Sequence, residues 1–403
     1  MTSLEMFGFI PEYLIGEFVI DLYFSGCFFN VFKRYVRKST MLFTCSPIHS
    51  WDQNDDTYVS DTKEINETMK EVKESLSVAK HEIDPVCKEW DKIKRGLHEY
   101  EYVYTSANPF KNLSELSPIS RSYFKMKEML KVFQIPVGKN AVCLAEAPGG
   151  FIQCLLETNV KEITGITLIS NDYKTPYWNR MLFRERRVTF TKGISGDGDL
   201  YSLKNIFGFI QEIGKASAHL VTGDGGFDNS EDYNNQEINS LKLIYSEIFL
   251  ALHIQEIGGC FICKLFDTFE LETISLLYML HTCYEKISFY KPCISRLSNS
   301  EKYVVCQGFK GYDTGMMNLM IHHFEDNQLY LDIPVSFYKD ILKFTGHYCD
   351  TQIKSIEKGL EMIRNHTYLK DPTSHQISVG KQWCQTYQVS LNTKCKYLRG
   401  GLF

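Results

Sequence analysis

Four stretches of this chain set charged side chains into or beside apolar runs, where they need a reason to be. Val221-Thr222-Gly223-Asp224-Gly225-Gly226-Phe227 ends an apolar strand in a carboxylate. Gly225 and Gly226 keep space open around Asp224, which suits close approach of a substrate, although an Asp-Gly-Gly surface turn accounts for the segment equally well. Cys260-Phe261-Ile262-Cys263-Lys264-Leu265-Phe266-Asp267 carries Lys264 inside an apolar strand. An ammonium there is costly unless it reaches water or finds partners. Ser295-Arg296-Leu297-Ser298-Asn299-Ser300-Glu301 precedes a further apolar strand and supplies a second carboxylate, and Ser122-Tyr123-Phe124-Lys125-Met126-Lys127-Glu128 adds two lysines on a helix. Lysines and carboxylates that converge can move a proton and hold a polar substrate. Lys125 and Lys127 lie about 200° apart on a helical wheel, so only one can face a common cleft. The residues alone do not choose between them.

Leu144-Ala145-Glu146-Ala147-Pro148-Gly149-Gly150-Phe151 predicts where a ligand would sit. An apolar run ends in an acid, then Pro-Gly-Gly, then a helix-like run. This is a strand turning into its helix in an open α/β sheet, where ligands bind beyond the carboxyl ends of the strands. A proline stands in place of the third glycine of a dinucleotide fingerprint, which argues against a nicotinamide cofactor and an oxidoreductase. The surrounding chain alternates in the same manner. Strands are expected at 141–145, 163–169, 188–191, 219–222, 260–265, 286–290 and 303–307, and helices at 120–133, 150–157, 235–256 and 271–284. Such alternation implies a mostly parallel sheet with helices on both faces.

Taken together, these segments resemble the FtsJ-like RNA 2′-O-methyltransferases, most closely the eukaryotic and large-DNA-virus branch that makes cap 1 on mRNA. The resemblance runs from about Ala107 to Phe309. Ala147-Pro148-Gly149-Gly150-Phe151 is similar to that branch's S-adenosylmethionine loop, and Gly196-Asp197-Gly198-Asp199 to its second cofactor segment. Asp224-Gly225-Gly226-Phe227 with Asn235-Gln236-Glu237 resembles its central motif and substrate-contacting helix start. Phe261-Ile262-Cys263-Lys264, Lys291-Pro292, Ser295-Arg296, Asn299-Ser300-Glu301 and Tyr303-Val304-Val305-Cys306 match almost letter for letter, and Asn108-Pro109-Phe110 has a counterpart.

The resemblance implies a Rossmann-like class I methyltransferase fold, α/β, with a seven-stranded, mostly parallel sheet flanked by helices and mainly helical N- and C-terminal extensions. It implies a catalytic tetrad of Lys125, Asp224, Lys264 and Glu301, so it selects Lys125 over Lys127. Glu146, Ala147, Pro148, Gly149, Gly150, Phe151, Asp199, Leu200 and Asp224 would bind S-adenosylmethionine, with Asp199 favoured over Asp197. Asn108, Asn235, Gln236, Glu237, Ser295, Arg296 and Asn299 would meet the RNA or its cap. The implied reaction methylates the 2′-hydroxyl of the first transcribed nucleotide, and the transfer itself needs no metal. A lysine acts as base only when neutral, yet its reference pKa is about 10.4. A second ammonium and partial desolvation lower that value, whereas carboxylates raise it. Lys264 is the expected base, Lys125 the neighbouring cation, and Asp224 and Glu301 the groups that keep the lysines in register and orient the hydroxyl.

Two departures stand out. Glu146 occupies a position where bacterial relatives carry alanine, and the family's cap-binding residues upstream of Asn108-Pro109-Phe110 are not recognisable. Methylation of ribosomal or transfer RNA, cap 2 formation, and a non-catalytic RNA-binding or scaffold subunit are the competing readings. Asn235-Gln236-Glu237 and the Ser295–Glu301 segment favour the cap branch over the first. The intact tetrad argues against the last.

The whole chain frames these expectations. Its 403 residues, 44% hydrophobic and 23% charged, are those of a soluble globular protein. A net charge of −5 argues against a uniformly basic nucleic-acid coat, so phosphate binding must be local. Thirteen scattered cysteines and no evident signal peptide suggest reduced thiols and an intracellular home. That home would be nuclear for a host protein and cytoplasmic, in a viral factory or virion, for a viral one. Cys260 and Cys263 have zinc-ligand spacing but no second pair, which favours buried thiols. Phe7 to Asn30 is apolar, but Glu12, Glu17 and Asp21 interrupt it, so no membrane span is expected.

Three regions are expected: an N-terminal extension at 1–95, the methyltransferase domain at 96–310, and a C-terminal extension at 311–403 that is basic from about 341. From Ile341 on, nine Lys/Arg stand against four Asp/Glu. Trp51 to Thr62 reads as a loop or linker. Beyond it Ile65, Met69, Val72, Leu76, Ala79 and Ile83 form one stripe of a helix that packs on the main domain, with Asp61 and Glu64 spaced for a capping box. Lys33-Arg34 and Arg37-Lys38 read as solvated surface. Arg184, Arg186 and Arg187 could steer RNA. The capped mRNA 5′ end is the expected partner. Capping enzyme and RNA polymerase are further candidates for the flanks.

Overall fold

A computed structural model describes residues 43–45, 55–226, 234–368 and 371–398, with side chains in the first helix from residue 63. Phe227, the Lys33–Lys38 cluster and the apolar Phe7–Asn30 run lie outside the described residues. The centre is one sheet of eight strands: β1 (Phe43–Thr44), β2 (Asn140–Leu144), β3 (Glu162–Ile166), β4 (Val188–Thr191), β5 (Ala218–Gly223), β6 (Gln255–Leu265), β7 (Tyr284–Tyr290) and β8 (Lys302–Phe309). Their order is β1-β7-β8-β6-β5-β2-β3-β4. β2 to β6 pair in parallel, while β8 runs antiparallel between β6 and β7. The seven expected strands are all present. The eighth, β1, is two residues long and pairs antiparallel with Ser288 and Phe289, too short to leave a period in the sequence.

Alternation along β2 shows why the sheet is covered on both faces. Val142 and Leu144 enter one core with α5 (Leu203–Ile213), α6 (Gln236–Ile254), α7 (Leu271–Cys283) and α8 (Thr314–His322). Ala141 and Cys143 enter the other, with α3 (Ser122–Val132), α4 (Gly150–Leu155) and α10 (Ser374–Thr386). That strict two-residue period, with both sets buried, is what a central parallel strand demands.

The flanks brace this domain. α1 (Asp55–His81) and α2 (Cys87–Leu97) pack on the long α9 (Val335–Arg364) through Ala79, Ile83, Trp90, Ile93, Ile356 and Leu360. The stripe holds from 65 to 79, with Ile65, Met69, Leu76 and Ala79 buried and Val72 half-buried, while Ile83, also buried, lies two residues past the helix end. The expected linker does not: α1 already begins at Asp55, so 55–62 is helical and the Asp61–Glu64 spacing lies inside the helix. Once the buried stripe fixes a helix, adding turns upstream costs little, and polar residues on exposed turns look like loop.

A buried ion cluster joins α1 to the sheet. Asp267, two residues past β6, accepts from Lys80 of α1 at 2.9 Å and lies 3.5 Å from Lys302 of β8. Ser300 donates to the same carboxylate at 3.0 Å. Burial raises the Asp267 pKa, but Lys302 and Lys80 outweigh it and hold the carboxyl below its usual range. Removing one member strands like charges in a low dielectric. Asp267→Ala is expected to cost about 3–5 kcal/mol in urea unfolding. Asp371→Ala, which breaks an exposed pair with Lys396, should leave the unfolding midpoint essentially in place.

Candidate active site

Strand register brings the charged residues together. In the antiparallel β6–β8 pair Lys264 stands opposite Tyr303, and Gly223 at the end of β5 stands beside Cys263. Asp224, the next residue, therefore emerges next to Lys264. Glu301 precedes Tyr303 by two, so the pleat turns it to the same face. Lys264 Nζ donates to the Asp224 carbonyl oxygen at 2.7 Å and lies 3.3 Å from its carboxylate. Lys125, on α3, crosses from the opposite side, with Nζ 2.7 Å from both Glu301 oxygens. Ser295 donates to Glu301 at 2.9 Å, and the Tyr303 hydroxyl donates to Asp224 at 2.8 Å. Lys127 instead pairs with Glu157 at 2.6 Å, so Lys125 alone of the two faces this cleft.

The electrostatics are those of a balanced, half-buried cluster. Burial pushes the Glu301 pKa up, yet Lys125 and Lys264 overcome it and pull the carboxyl down to about 2. For Lys264, burial favours the neutral amine, but Asp224, Glu301 and Glu247 together raise its pKa. The lowering expected from a second ammonium and desolvation does not prevail, because the attraction of those carboxylates together outweighs burial. Lys264 rests as an ammonium.

Around the glycine turn, Gly149 has φ +104° and starts α4, and an added Cβ would run into Leu182. A Cβ on Gly150 would meet the hydroxyls of Ser120 and Ser122, so this glycine also lets α3 and α4 approach. Phe151 is fully buried, with its ring 6.1 Å from that of Tyr303. The Glu146 carboxyl turns inward, accepting from the Ile152 backbone at 3.1 Å and from Thr222 at 2.9 Å. Burial, then Asp224, raises its pKa well above the usual range.

In the second loop Asp197 serves the loop itself, accepting from Ser195, from Asn205 at 2.9 Å and from the Asp199 backbone at 3.1 Å. Asp199 is half-buried and commits one oxygen to the Tyr201 backbone at 2.8 Å, which leaves the other for a ligand. Leu200 is buried beneath it. The turn, half-buried at Ala147 and Pro148 and buried at Gly149 and Gly150, and the half-buried Asp199 are the groups here that could hold a cofactor.

The expected RNA-facing residues divide. Asn108, Asn235 and Asn299 are exposed and Gln236 is half-buried. Asn108 also caps the Phe110 backbone at 3.0 Å. Glu237 is buried and accepts from the Phe269 and Glu270 backbones at 3.0 Å, holding the start of α7 rather than facing outward. Arg296 forks onto buried Glu101 at 2.9 and 3.0 Å, and Ser295 serves Glu301. These two position the loop before β8.

Three residues given no role by sequence belong to the site. Tyr303 was legible only as a strand residue, though its register opposite Lys264 carries the signal. Glu247, in the apolar run of α6, accepts from Gly225 N at 3.2 Å and from the Cys263 thiol at 3.3 Å, and burial pushes its pKa up to about 8. Lys291 donates to the Asn299 and Glu301 carbonyls at 2.5 and 2.8 Å, and burial, then Lys302, lowers its pKa to about 7.

Comparison with known proteins adds four findings. Residues 118–309 match the family model described as FtsJ-like methyltransferase. The chain is similar to the cap-specific mRNA (nucleoside-2′-O-)-methyltransferase 1 of Homo sapiens, 30% identical over 314 residues, covering 68% of this chain and 38% of that protein. It is also similar to the protein of that name from Trypanosoma brucei brucei, 35% identical over 247 residues, covering 56% of this chain and 65% of that protein. The chain thus spans less than two thirds of the length of either. A solved ribosomal RNA methyltransferase from Plasmodium falciparum is 19% identical with TM-score 0.37, over 48% of this chain and 99% of that one.

The inward Glu146 carboxyl yields a stability test. A carboxyl whose folded pKa is raised stabilises fully below its unfolded value and loses that contribution as pH rises through the folded one. Glu146→Gln mimics the protonated acid, so it should fold normally and flatten the decline in stability as pH rises above about 4.5. Glu146→Ala leaves the Ile152 N–H without its acceptor and is expected to cost about 1–3 kcal/mol. Thermal unfolding across pH reads both.

Proposed function

Residues 118–309 belong to the FtsJ-like methyltransferase family, and from that premise we propose that the chain is an mRNA cap 2′-O-methyltransferase. It would act on the 2′-hydroxyl of the first transcribed nucleotide and take its methyl from S-adenosylmethionine. The observation that carries the reading is the pairing of Lys125 with Glu301 and of Lys264 with Asp224 across one cleft at the carboxyl ends of β5 and β6. Similarity to proteins named as cap-specific enzymes supports the cap over other RNAs.

Each side chain has a distinct task in this proposal. The turn from Ala147 to Gly150 and the half-buried Asp199 would hold the two ends of the cofactor. Bound there, S-adenosylmethionine supplies an electrophilic methyl. Lys125 and Glu301 form a fixed pair that accepts and orients the ribose hydroxyl. Lys264 takes the hydroxyl proton, which requires it first to give up its own. Asp224 fixes the Lys264 amine, and Tyr303, whose hydroxyl burial and then Asp224 keep protonated, fixes Asp224. Proton removal of this kind contributes about 10²–10⁴-fold in rate, and correct positioning at least as much.

The deciding experiment is transfer from labelled S-adenosylmethionine to RNAs with a methylated cap, an unmethylated cap or a bare triphosphate, followed by digestion to locate the ribose. Label on the first nucleotide only when the cap is present is the expected result; transfer indifferent to the cap would move the substrate to structural RNA. Lys264→Ala should abolish turnover while calorimetry still detects cofactor binding. A subunit without catalysis would show no transfer from the wild type either.

The charge on Lys264 gives a second expectation. The active base is the neutral amine, and its pKa is raised above the ordinary 10.5. Single-turnover rates should therefore climb with pH through the neutral range. Asp224→Asn removes the foremost charge that raises this pKa, so the rising limb should move to lower pH while its ceiling drops. A plateau already present near neutrality in the wild type would count against Lys264 as the base.

A further inference from the structure

The connection between β3 and β4 carries a surface that the site described above does not use. Tyr173 is 91% exposed, Tyr177 44%, Met181 68% and Phe183 52%, the densest run of exposed large apolar side chains among the described residues. Arg180, Arg184 and Arg186 lie between and beside them, all exposed, and none has an ion-pair partner among the described residues. Asp172 and Glu185 are the only acids in this stretch, so its charge is positive. Arg187 behaves differently: its guanidinium donates to the carbonyls of Leu156 at 2.6 Å and Val160 at 3.0 Å, closing the end of α4. Of the three arginines that could steer RNA, this one is structural.

Two of the exposed rings, Tyr177 and Phe183, are held by packing. Buried Trp178 stacks on Phe190 with centroids 4.5 Å apart; Phe183 lies 4.9 Å from Phe190, and Tyr177 lies 6.2 Å from Phe183. A ladder of rings thus runs from the core to the surface and holds the outer two in place. The segment is also tied to the glycine turn, where Asn179 N donates to the Pro148 carbonyl at 3.0 Å and Leu182 packs against Gly149. Rings held by packing and interleaved with guanidinium groups match what a single strand of nucleic acid offers. Its bases can stack on fixed aromatic faces while its phosphates meet cations. A protein partner would be expected to bury such rings without needing three uncompensated arginines.

We propose that the strap from Tyr173 to Arg186 is a track for single-stranded RNA, with bases stacking on Tyr173, Tyr177 and Phe183 and phosphates held by Arg180, Arg184 and Arg186. This deepens the RNA methyltransferase reading and rests on it for the identity of the strand. Bound on the strap, the RNA lies against the segment that buttresses Pro148 and Gly149. Nucleotides beyond the target ribose would then be gripped beside the cofactor turn.

The test is fluorescence anisotropy of the full chain with a 3′-labelled, capped single-stranded RNA over a series of salt concentrations. Each phosphate contact to a single strand contributes about −0.7 to the slope of log affinity against log salt. The variant Arg180→Gln, Arg184→Gln, Arg186→Gln should therefore flatten that slope by about 2. Tyr177→Ala and Tyr173→Ala should each weaken binding roughly tenfold, as loss of one stacked base does. Phe183→Ala disturbs the ladder and is read only beside thermal unfolding, whereas Tyr173 and the arginines can be changed without touching the core. An unchanged affinity and salt slope in the arginine variant overturns the proposal. RNA binding is read apart from turnover. A chain that binds RNA through the strap but transfers no methyl keeps this inference and loses the catalytic one, and a chain that transfers methyl but whose strap variants bind like wild type does the reverse.

Discussion

The half-buried carboxylate of Glu301 is the constraint from which most of this structure follows. A carboxylate can remain ionised away from water only if cations surround it and its oxygens are bonded. Here Lys125 meets both oxygens, Ser295 donates to one, and Lys264 and Lys291 add their fields. Each of those groups must in turn be held. Lys125 needs α3 to cross in front of β8, and the loop before β8 needs Lys291 to clamp its carbonyls. Ser300 and Lys302, the residues on either side of Glu301, are tied to Asp267. A single ionised group thus fixes the register of two strands, one helix and the loop between them.

The flanks take part in the same arrangement. Lys80 of α1 completes the Asp267 cluster, and Gln352 of α9 donates to the Ser298 carbonyl at 3.1 Å. From the other side Trp383 of α10 donates to buried Glu128 at 2.8 Å, on the helix that carries Lys125. Asn392 bonds the carbonyls of Pro109 and Asn112, so the segment after α10 holds the turn at Asn108-Pro109-Phe110. The polar groups of α1, α9 and α10 therefore converge on elements that present the charged cleft. That convergence accounts for why so much chain outside the sheet packs against it.

Much of this was legible in the sequence because it repeats or because it is chemically expensive. The seven strands and four of the flanking helices announce themselves through burial on alternate faces and through apolar runs bounded by glycine. Lys264 announces itself by its cost inside such a run. What stayed hidden depends on distance across the sheet. Tyr303 looks like any aromatic strand residue until the antiparallel register sets it opposite Lys264. Glu247 is one acid in a long helix until the fold places it under Gly225. Glu237 and Arg296 sit in segments similar to RNA-contacting motifs, yet their charges are satisfied internally by backbone amides and by Glu101. The start of α1 was hidden for a different reason, since exposed helical turns and loops draw on the same polar residues.

The state of Lys264 shows what such a cluster can and cannot do at rest. Two lysines face two carboxylates across this cleft, and that balance of charge is why a half-buried site tolerates them. It also holds Lys264 protonated, because every carboxylate that stabilises the site favours the ammonium. Desolvation pulls the other way but loses to the fields of Asp224 and Glu301. A positive charge added beside Asp224 would break the balance, and the group that relieves it at least cost is the buried amine already destabilised by its own burial. In the reaction proposed above, proton loss from Lys264 is thus tied to what fills the cleft.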